Sequence, residues 1–107
     1  MSGLNWDKKF ALEQTEDDEE LLQELFTILK QSCSSDMALI RRGIDDNNAS
    51  QVRCAAHSIK GASASLGISS LRDMALSIEL DAKNGKLDNV KDKVPQLSGM
   101  IEELKSI

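Results

Sequence analysis

Residues 87–104, LDNVKDKVPQLSGMIEEL, decide the fold class. Their apolar residues recur in alternating steps of three and four, which keeps them on one face of an α-helix: Leu87, Val90, Val94, Leu97, Ile101 and Leu104. A stripe of this kind is typical of a helix that packs in a bundle. Pro95 lies inside the pattern and has no backbone N–H, so we expect either a kink there or a helix that begins late, near residues 91–95.

A long helix is predicted over residues 16–46. Thr15 followed by Asp18 resembles a capping box, and the carboxylates of residues 16–19 would stabilise the positive end of the helix dipole. The apolar residues stay in phase along the whole segment: Leu22, Phe26, Leu29, Cys33, Met37, Ile40 and Ile44. A serine-rich patch at residues 32–35 raises the alternative of a break, but the stripe runs through it, so we expect one continuous helix.

Two more helices are predicted between these segments, and polar turns and glycines mark their ends. Asn48 and Gln51 have the spacing of an N-cap residue and the third residue of the helix that it caps. Gly67 is placed to end that helix, and Asn84 with Gly85 is placed to end the next one. Both segments carry a regular apolar stripe, so each is predicted to be an amphipathic helix.

The fold is predicted to be all-α. Trp6 and Phe10, four residues apart, favour a short N-terminal helix that covers one end of a bundle. In chain order, the predicted helices span about residues 5–12, 16–46, 49–66, 69–84 and 87–106. No alternating strand pattern, internal repeat or interdomain linker is found, so we predict an up-down-up-down four-helix bundle with a short N-terminal capping helix. The whole chain, residues 1–107, is expected to be one domain.

Composition limits the classes of partner. The chain has 107 residues, of which 13 are Lys or Arg and 18 are Asp or Glu, and its net charge is −5. This acidic balance gives no electrostatic reason to expect a nucleic acid or an anionic membrane as partner, and it leaves proteins as the better expectation. No signal peptide pattern is present and the apolar runs are far shorter than a bilayer span. With only Cys33 and Cys54 available, we expect free thiols and a cytoplasmic protein.

The only histidine of the chain, His57, lies in residues 55–67, AAHSIKGASASLG. A helical wheel places it about 160° from the core-facing Ile59, so its imidazole is expected on the outward face. Gly61 follows one turn later, and because a mid-helix glycine costs about 1 kcal/mol relative to alanine, it suggests that another molecule approaches the backbone there. Lys60 places a positive charge within a turn of the ring, which disfavours imidazolium and favours a bound anion such as a phosphoryl group.

Residues 57–67, HSIKGASASLG, resemble the HxxKG(S/A)xxxLG signature of histidine-containing phosphotransfer (Hpt) domains, and the resemblance covers nearly the whole chain. It implies that His57 accepts the phosphoryl group, that Lys60 steadies this group, and that Gly61 leaves room for the active-site loops of a receiver domain. The family tends to place a Glu or Gln on the following helix, where it hydrogen-bonds the other ring nitrogen, and Glu79 occupies that position. The alternative for Glu79 is a solvated surface carboxylate.

The resemblance implies a phosphorelay intermediate of two-component signalling. It would take a phosphoryl group from a receiver-domain aspartate and pass it to another receiver domain, with a hybrid sensor histidine kinase upstream. A neutral imidazole nitrogen suits this chemistry, because the phosphoramidate it forms can also be broken. We expect a docking face around the imidazole, on a monomeric protein: Arg53, His57, Lys60, Gly61 and Ala64.

No cofactor is expected on this chain. The sequence offers no carboxylate cluster around His57 that would hold Mg²⁺, so Mg²⁺ is expected on the partner receiver domain. A Gly-rich phosphate loop is also missing from the sequence, so we expect no autokinase activity. The chain is expected to be free-standing, with a domain excised from a larger hybrid kinase as the alternative.

Four other interpretations of this face compete with phosphotransfer. A helical adaptor that binds a partner through the same face without phosphoryl chemistry is the runner-up. A zinc site on Cys54 and His57 lacks the remaining ligands that structural zinc requires. A histidine kinase dimerisation helix would follow its histidine with an acidic residue and an Arg-Thr-Pro run, whereas Ser58 follows here. An enzyme acting on a small substrate would need a concave pocket, which a face of small residues does not favour.

Overall fold

The computed structural model describes residues 6–106. Within them the chain forms five helices: α1 (Lys8–Gln14), α2 (Glu19–Asp45), α3 (Ala49–Ser65), α4 (Ser69–Lys83) and α5 (Leu87–Lys105). Helix α2 packs against α3 and α5, and α4 also packs against both, so the four long helices close a bundle. The predicted all-α fold, a four-helix bundle with a short N-terminal helix, is confirmed. Residue 5, included in the predicted first helix, lies outside the described part of the chain.

The apolar stripes meet in one core. Its largest fully buried side chains come from all four long helices and the turn before α4: Cys33, Ile40, Val52, Ile59, Ile68, Leu71, Ile78, Val90, Leu97 and Leu104. Burial, together with the nearby Asp36 carboxylate, raises the pKa of the Cys33 thiol to about 12, so this thiol stays neutral. None of the helices in residues 6–106 has both the length and the apolarity that crossing a membrane requires.

The start of α2 differs from the prediction. The helix begins at Glu19, and its N-cap is Asp18, whose carboxylate accepts a hydrogen bond from the backbone N–H of Leu21 at 3.1 Å. Thr15 instead ends α1, and its hydroxyl donates to the carbonyl of Leu12 at 3.0 Å. The prediction of Thr15 as the cap was wrong because a threonine hydroxyl can also bond back to the preceding turn, and the contacts around it decide between the two.

The segment between α1 and α2 is a tight turn. Glu16 and Asp17 have positive φ angles of 54° and 62°, so neither belongs to the first turn of α2 as the sequence had suggested. Asp is among the non-glycine residues that adopt this region more readily, whereas Glu is not. The long helix therefore starts three residues later than predicted, and α1 extends to Gln14 rather than to residue 12.

The structure also decides between the alternatives left open for α2 and α5. Helix α2 is continuous through residues 32–35, as expected from the phase of its stripe. Helix α5 begins at Leu87 and contains Pro95, so the late start considered for it was wrong. The N-cap at Asn48 is confirmed, since its side chain accepts a hydrogen bond from the N–H of Gln51 at 3.1 Å.

The turn after α3 is held by the N-terminal segment. Gly67 has a φ of 74°, and its carbonyl accepts a hydrogen bond from the N–H of Asp7 at 2.9 Å. A Cβ atom at Gly67 would lie 2.9 Å from the carbonyl oxygen of Asp7, so both the backbone angle and the space require glycine. The indole N–H of Trp6 donates to the carbonyl of Leu66 at 2.9 Å, and its ring packs on Phe26 with centroids 4.8 Å apart.

Helix α4 is also fixed against α5. The ammonium group of Lys93 contacts both the carboxylate of Asp81 and the hydroxyl of Ser77, and the carboxylate is largely buried. An ion pair of this kind contributes orientation more than stability, because the loss of hydration offsets much of the attraction. It joins α4 to α5 beside the buried face of α4.

Candidate functional site

Helix α3 presents His57 to solvent. The opposite face of the helix is buried in the core through Val52, Ala56 and Ile59, which are each 0% exposed. The side chain of His57 is 65% exposed, in agreement with the orientation that the helical wheel predicted. An imidazole in this position can be reached by another protein without any movement of the bundle.

A carboxylate from α4 holds the inner edge of this imidazole. Oε2 of Glu79 lies 2.8 Å from Nδ1 of His57, and its other oxygen, Oε1, lies 2.7 Å from Nζ of Lys60. The side chains of Glu79 and Lys60 are only 17% and 28% exposed. The structure therefore brings together three of the residues singled out in the sequence and does not leave Glu79 free in solvent.

The electrostatics of this group keep Glu79 ionised. The hydrogen bond from Lys60 is the largest cause that holds the pKa of Glu79 below its usual value, and the hydrogen bond from His57 acts in the same direction. Partial burial opposes both, but does not overcome them. An ionised carboxylate accepts a hydrogen bond and cannot donate one, so this contact favours the tautomer of His57 that has its proton on Nδ1 and its lone pair on Nε2.

An open groove runs between α3 and α4 beside the imidazole. It has a volume of about 460 Å³ and is lined by Arg53, Cys54, His57, Lys60, Leu76, Glu79, Leu80 and Lys83. Leu76 and Leu80, which are 38% and 48% exposed, form an apolar patch on the α4 side of the groove. These two leucines and Lys83 were not predicted as site residues from the sequence. The available signal was a pair of leucines four residues apart that does not fit the core stripe of α4.

Gly61 and Ala64, the small residues of the predicted docking face, lie on different parts of the surface around His57. Gly61 is exposed, and a Cβ atom added there would meet no other atom within 4 Å. Ala64 is half-buried and does not line the groove; it faces a second hollow with Asp7, Phe10 and Gly67. Nothing inside the protein therefore requires glycine at position 61, although glycine is unfavourable within a helix.

No group of three or more Cys, His, Asp or Glu side chains that could hold a metal occurs within residues 6–106. Cys54 is an exposed free thiol on the same side of α3 as His57.

The family model of the Hpt domain matches residues 24–107. The chain belongs to the Hpt family. Hpt domains carry phosphoryl groups between proteins and are not kinases, and the chain accordingly has a histidine phosphotransfer role in two-component signalling. The family interacts with response-regulator receiver domains and with kinases. No curated protein matches the sequence significantly.

A solved structure shares the fold of this Hpt domain. The crystal structure of histidine-containing phosphotransfer protein B (HptB) from Pseudomonas aeruginosa PAO1 is similar with a TM-score of 0.87 and 19% sequence identity. The match covers 96% of this chain and 90% of HptB. At this identity, the similarity shows a common bundle architecture.

The lowered pKa of Glu79 makes a pH-dependent contribution to the stability of this Hpt domain. A carboxylate whose pKa is lower in the folded protein stabilises it above the ordinary value of 4.5, and this contribution is lost as the pH falls through the folded-state pKa. We expect Glu79→Gln to lower the free energy of unfolding by about 1 kcal/mol at neutral pH, and the difference from wild type to shrink as the pH falls below 4.5 and through the folded-state pKa of Glu79. Urea denaturation at a series of pH values measures both.

The matched control is Glu102→Gln on α5. The side chain of Glu102 is 69% exposed in its ion pair with Lys105, and such exposed pairs contribute little. This variant should follow the wild type at every pH. A difference between wild type and Glu79→Gln that does not shrink as the pH falls below 4.5 would show that the charge of Glu79 does not stabilise the site.

Proposed function

We propose that this Hpt domain accepts a phosphoryl group on Nε2 of His57 from the aspartyl phosphate of a receiver domain and passes it to the aspartate of another receiver domain. The observation that carries the proposal is an exposed imidazole whose inner nitrogen, Nδ1, lies 2.8 Å from a carboxylate oxygen of Glu79. The contact supports one tautomer, in which the outer nitrogen has the free lone pair.

The transfer balances without a further reactant. The lone pair of Nε2 forms a bond to phosphorus while the bond between phosphorus and the aspartyl oxygen breaks, and the aspartate leaves as a carboxylate. The ring then carries a proton on Nδ1 and a developing positive charge, which the Glu79 carboxylate stabilises. The reverse step uses the same arrangement, because a ring protonated on Nδ1 is a good leaving group when the phosphoryl group moves to the next aspartate.

The groove supports the docking of a receiver domain. Three cationic side chains, Arg53, Lys60 and Lys83, line it on a chain whose net charge is −5, and the carboxylate of Glu79 is already paired. The half-exposed Leu76 and Leu80 add an apolar patch on the α4 side. A partner that presents acidic residues next to an apolar surface complements this combination, and a receiver domain presents its phosphorylated carboxylate in such a setting.

The remaining chemistry is assigned to the partner. Mg²⁺ is expected on the receiver domain, where it would neutralise charge on the phosphoryl oxygens during transfer. The Hpt domain is proposed to act in the cytoplasm as a monomer without autokinase activity, since its sequence contains no Gly-rich phosphate loop. A hybrid sensor histidine kinase is the proposed upstream source of the phosphoryl group.

Replacement of His57 by Gln tests the proposal directly. We expect the variant to fold and to bind receiver domains, but to acquire no label from a receiver phosphorylated with ³²P, because the amide has no nucleophilic nitrogen. Circular dichroism checks the fold, and gel autoradiography over a panel of receiver domains checks the transfer. Undiminished labelling of His57→Gln would contradict the proposal. A wild-type protein that binds a phosphorylated receiver but acquires no label would favour the adaptor interpretation instead.

Gly61 offers a separate test of the docking face. Because a side chain at Gly61 would meet nothing inside the protein, Gly61→Gln should leave the free domain as stable as the wild type, or up to about 1 kcal/mol more stable. The same side chain should obstruct the receiver and weaken its binding at least about tenfold, a loss of about 1.4 kcal/mol. Calorimetry of receiver binding and urea denaturation measure the two effects.

Gly99→Gln is the matched control for this test. Gly99 is an exposed mid-helix glycine with open space around its Cβ position, but it lies on α5, whereas Gly61 lies on α3 one turn from His57. Gly99→Gln should gain similar stability and bind the receiver as the wild type does. Equal receiver affinity in the Gly61 and Gly99 variants would show that the receiver docks elsewhere.

A further inference from the structure

The first described residues of the chain are attached to the end of α3, the helix that carries the imidazole. We call residues 6–14, which include α1, the N-terminal strap. The indole N–H of Trp6 donates to the carbonyl of Leu66 at 2.9 Å. The backbone N–H of Asp7 donates to the carbonyl of Gly67, also at 2.9 Å. Both carbonyls belong to the turn that ends α3, so the strap supplies hydrogen-bond donors where the helix itself has none left.

The N-terminal strap has little buried surface of its own. Ala11 is the one residue of α1 that is buried, whereas Phe10 is 37% exposed. The largest fully buried side chains of the core come from the four long helices and the turn before α4. Segments with few buried contacts open at a lower free energy than the core to which they are attached. The strap is therefore placed to detach while the four long helices stay packed.

The hinge of the strap is strained while the strap is attached. Glu16 and Asp17, which lie between α1 and α2, have φ angles of 54° and 62°. Positive φ angles are unfavourable for residues with a Cβ atom, and more so for Glu than for Asp. Detachment of the strap frees both residues to return to ordinary angles. The strain thus opposes the hydrogen bonds that attach the strap, and the balance between them sets how often it opens.

The attached strap borders the docking face expected around the imidazole. Asp7 and Phe10 line a hollow of about 190 Å³ together with Ala64 of α3. Because Ala64 follows His57 by seven residues, it lies two turns along the helix on the same outward side. A protein interface of ordinary size covers about 800 Å² on each partner, which is wider than two helical turns. A receiver domain that reaches the imidazole would therefore also meet the strap.

We propose that the N-terminal strap is a switch hinged at residues 16–17: the attached strap completes the docking face for a receiver domain, and the open strap weakens docking. Because the coupling between two equilibria is reciprocal, a docked receiver domain also holds the strap closed. The effect on docking rests on the proposed function, whereas the opening of the strap is a property of the free protein.

Native-state hydrogen exchange measures the opening in the free protein. The amide of Asp7 is bonded to the carbonyl of Gly67 while the strap is attached, and Ile59 provides an amide in the buried part of α3 for comparison. We expect the protection factor of Asp7 to be at least about a hundredfold lower than that of Ile59. It should also be insensitive to low concentrations of urea, because a local opening exposes little surface.

Two variants should move the balance in opposite directions. Trp6→Phe keeps an aromatic ring but removes the N–H that bonds to Leu66, so the protection factor of Asp7 should fall about fivefold, the effect of one hydrogen bond. Glu16→Gly should raise that protection factor about threefold, because glycine adopts a positive φ angle without strain.

Asn47→Gly is the matched control for the hinge. Asn47 also has a positive φ angle, 53°, but it follows α2 and lies a whole helix away from the strap. This variant relieves a comparable backbone angle and should leave the protection factor of Asp7 unchanged.

Receiver binding tests the coupling to docking. The probe is the receiver domain that binds most tightly in the panel used for His57→Gln. At saturation, this receiver should raise the protection factor of Asp7 at least about tenfold. Trp6→Ala, which removes both the ring and its N–H, should bind the receiver about tenfold more weakly in calorimetry, while urea denaturation still shows a folded bundle. Glu16→Gly added to Trp6→Ala should recover part of this loss.

The outcomes separate this inference from the proposed function. If Asp7 exchanges only through global unfolding, the strap is not a separate unit and the inference is overturned. It is also overturned, with the proposed function intact, if the bound receiver gives Asp7 no protection or if a folded Trp6→Ala binds the receiver as the wild type does. If Trp6→Ala does not fold, the protection of Asp7 in the wild-type complex decides the coupling alone. If the receiver closes the strap but His57→Gln still acquires the label, the switch stands and the proposed function fails.

Discussion

The contact between the Glu79 carboxylate and Nδ1 of His57 is the interaction on which the rest of the site depends. It crosses from α4 to α3, so it exists only because the bundle packs these two helices side by side. In the proposed transfer it would have two consequences: it favours a proton on the inner ring nitrogen, and it supplies a negative charge where the ring becomes positive. The other oxygen of the same carboxylate lies 2.7 Å from Nζ of Lys60.

The surroundings of the imidazole suit transfer between proteins better than turnover of a small molecule. The ring is 65% exposed and lies at the edge of an open groove, where another protein can reach it. Gly61 also suits docking by another protein. A glycine there lowers the stability of the helix, although a Cβ atom at this position would meet no atom within 4 Å beyond the adjacent helix backbone. The cationic side chains that line the groove of this acidic protein would attract a partner with an acidic site.

Local patterns in the sequence predicted most of the fold and part of the site. Apolar stripes, the Asn48 cap and the Gly67 stop are properties of a few adjacent residues, and each reappears in the bundle. The prediction that Thr15 caps α2 was wrong, because a hydroxyl can hydrogen-bond to the following or the preceding turn, and packing decides which. The partnership of Lys60 with Glu79, and the exposure of Leu76, depend on how α4 is rotated against α3. Contacts between helices, such as that of Lys93 with Asp81, are not revealed by the pattern of a single helix.

The most direct measurement is the position of the phosphoryl group on the ring. Protein labelled with ¹⁵N can be phosphorylated with phosphoramidate, whose nitrogen–phosphorus bond breaks as ammonia leaves, and examined by ³¹P and ¹⁵N NMR spectroscopy. The structure predicts one phosphorylated residue, His57, with phosphorus bonded to Nε2 and a proton retained on Nδ1 beside Glu79. Phosphorus bonded to Nδ1, or to a residue other than His57, would contradict the central claim.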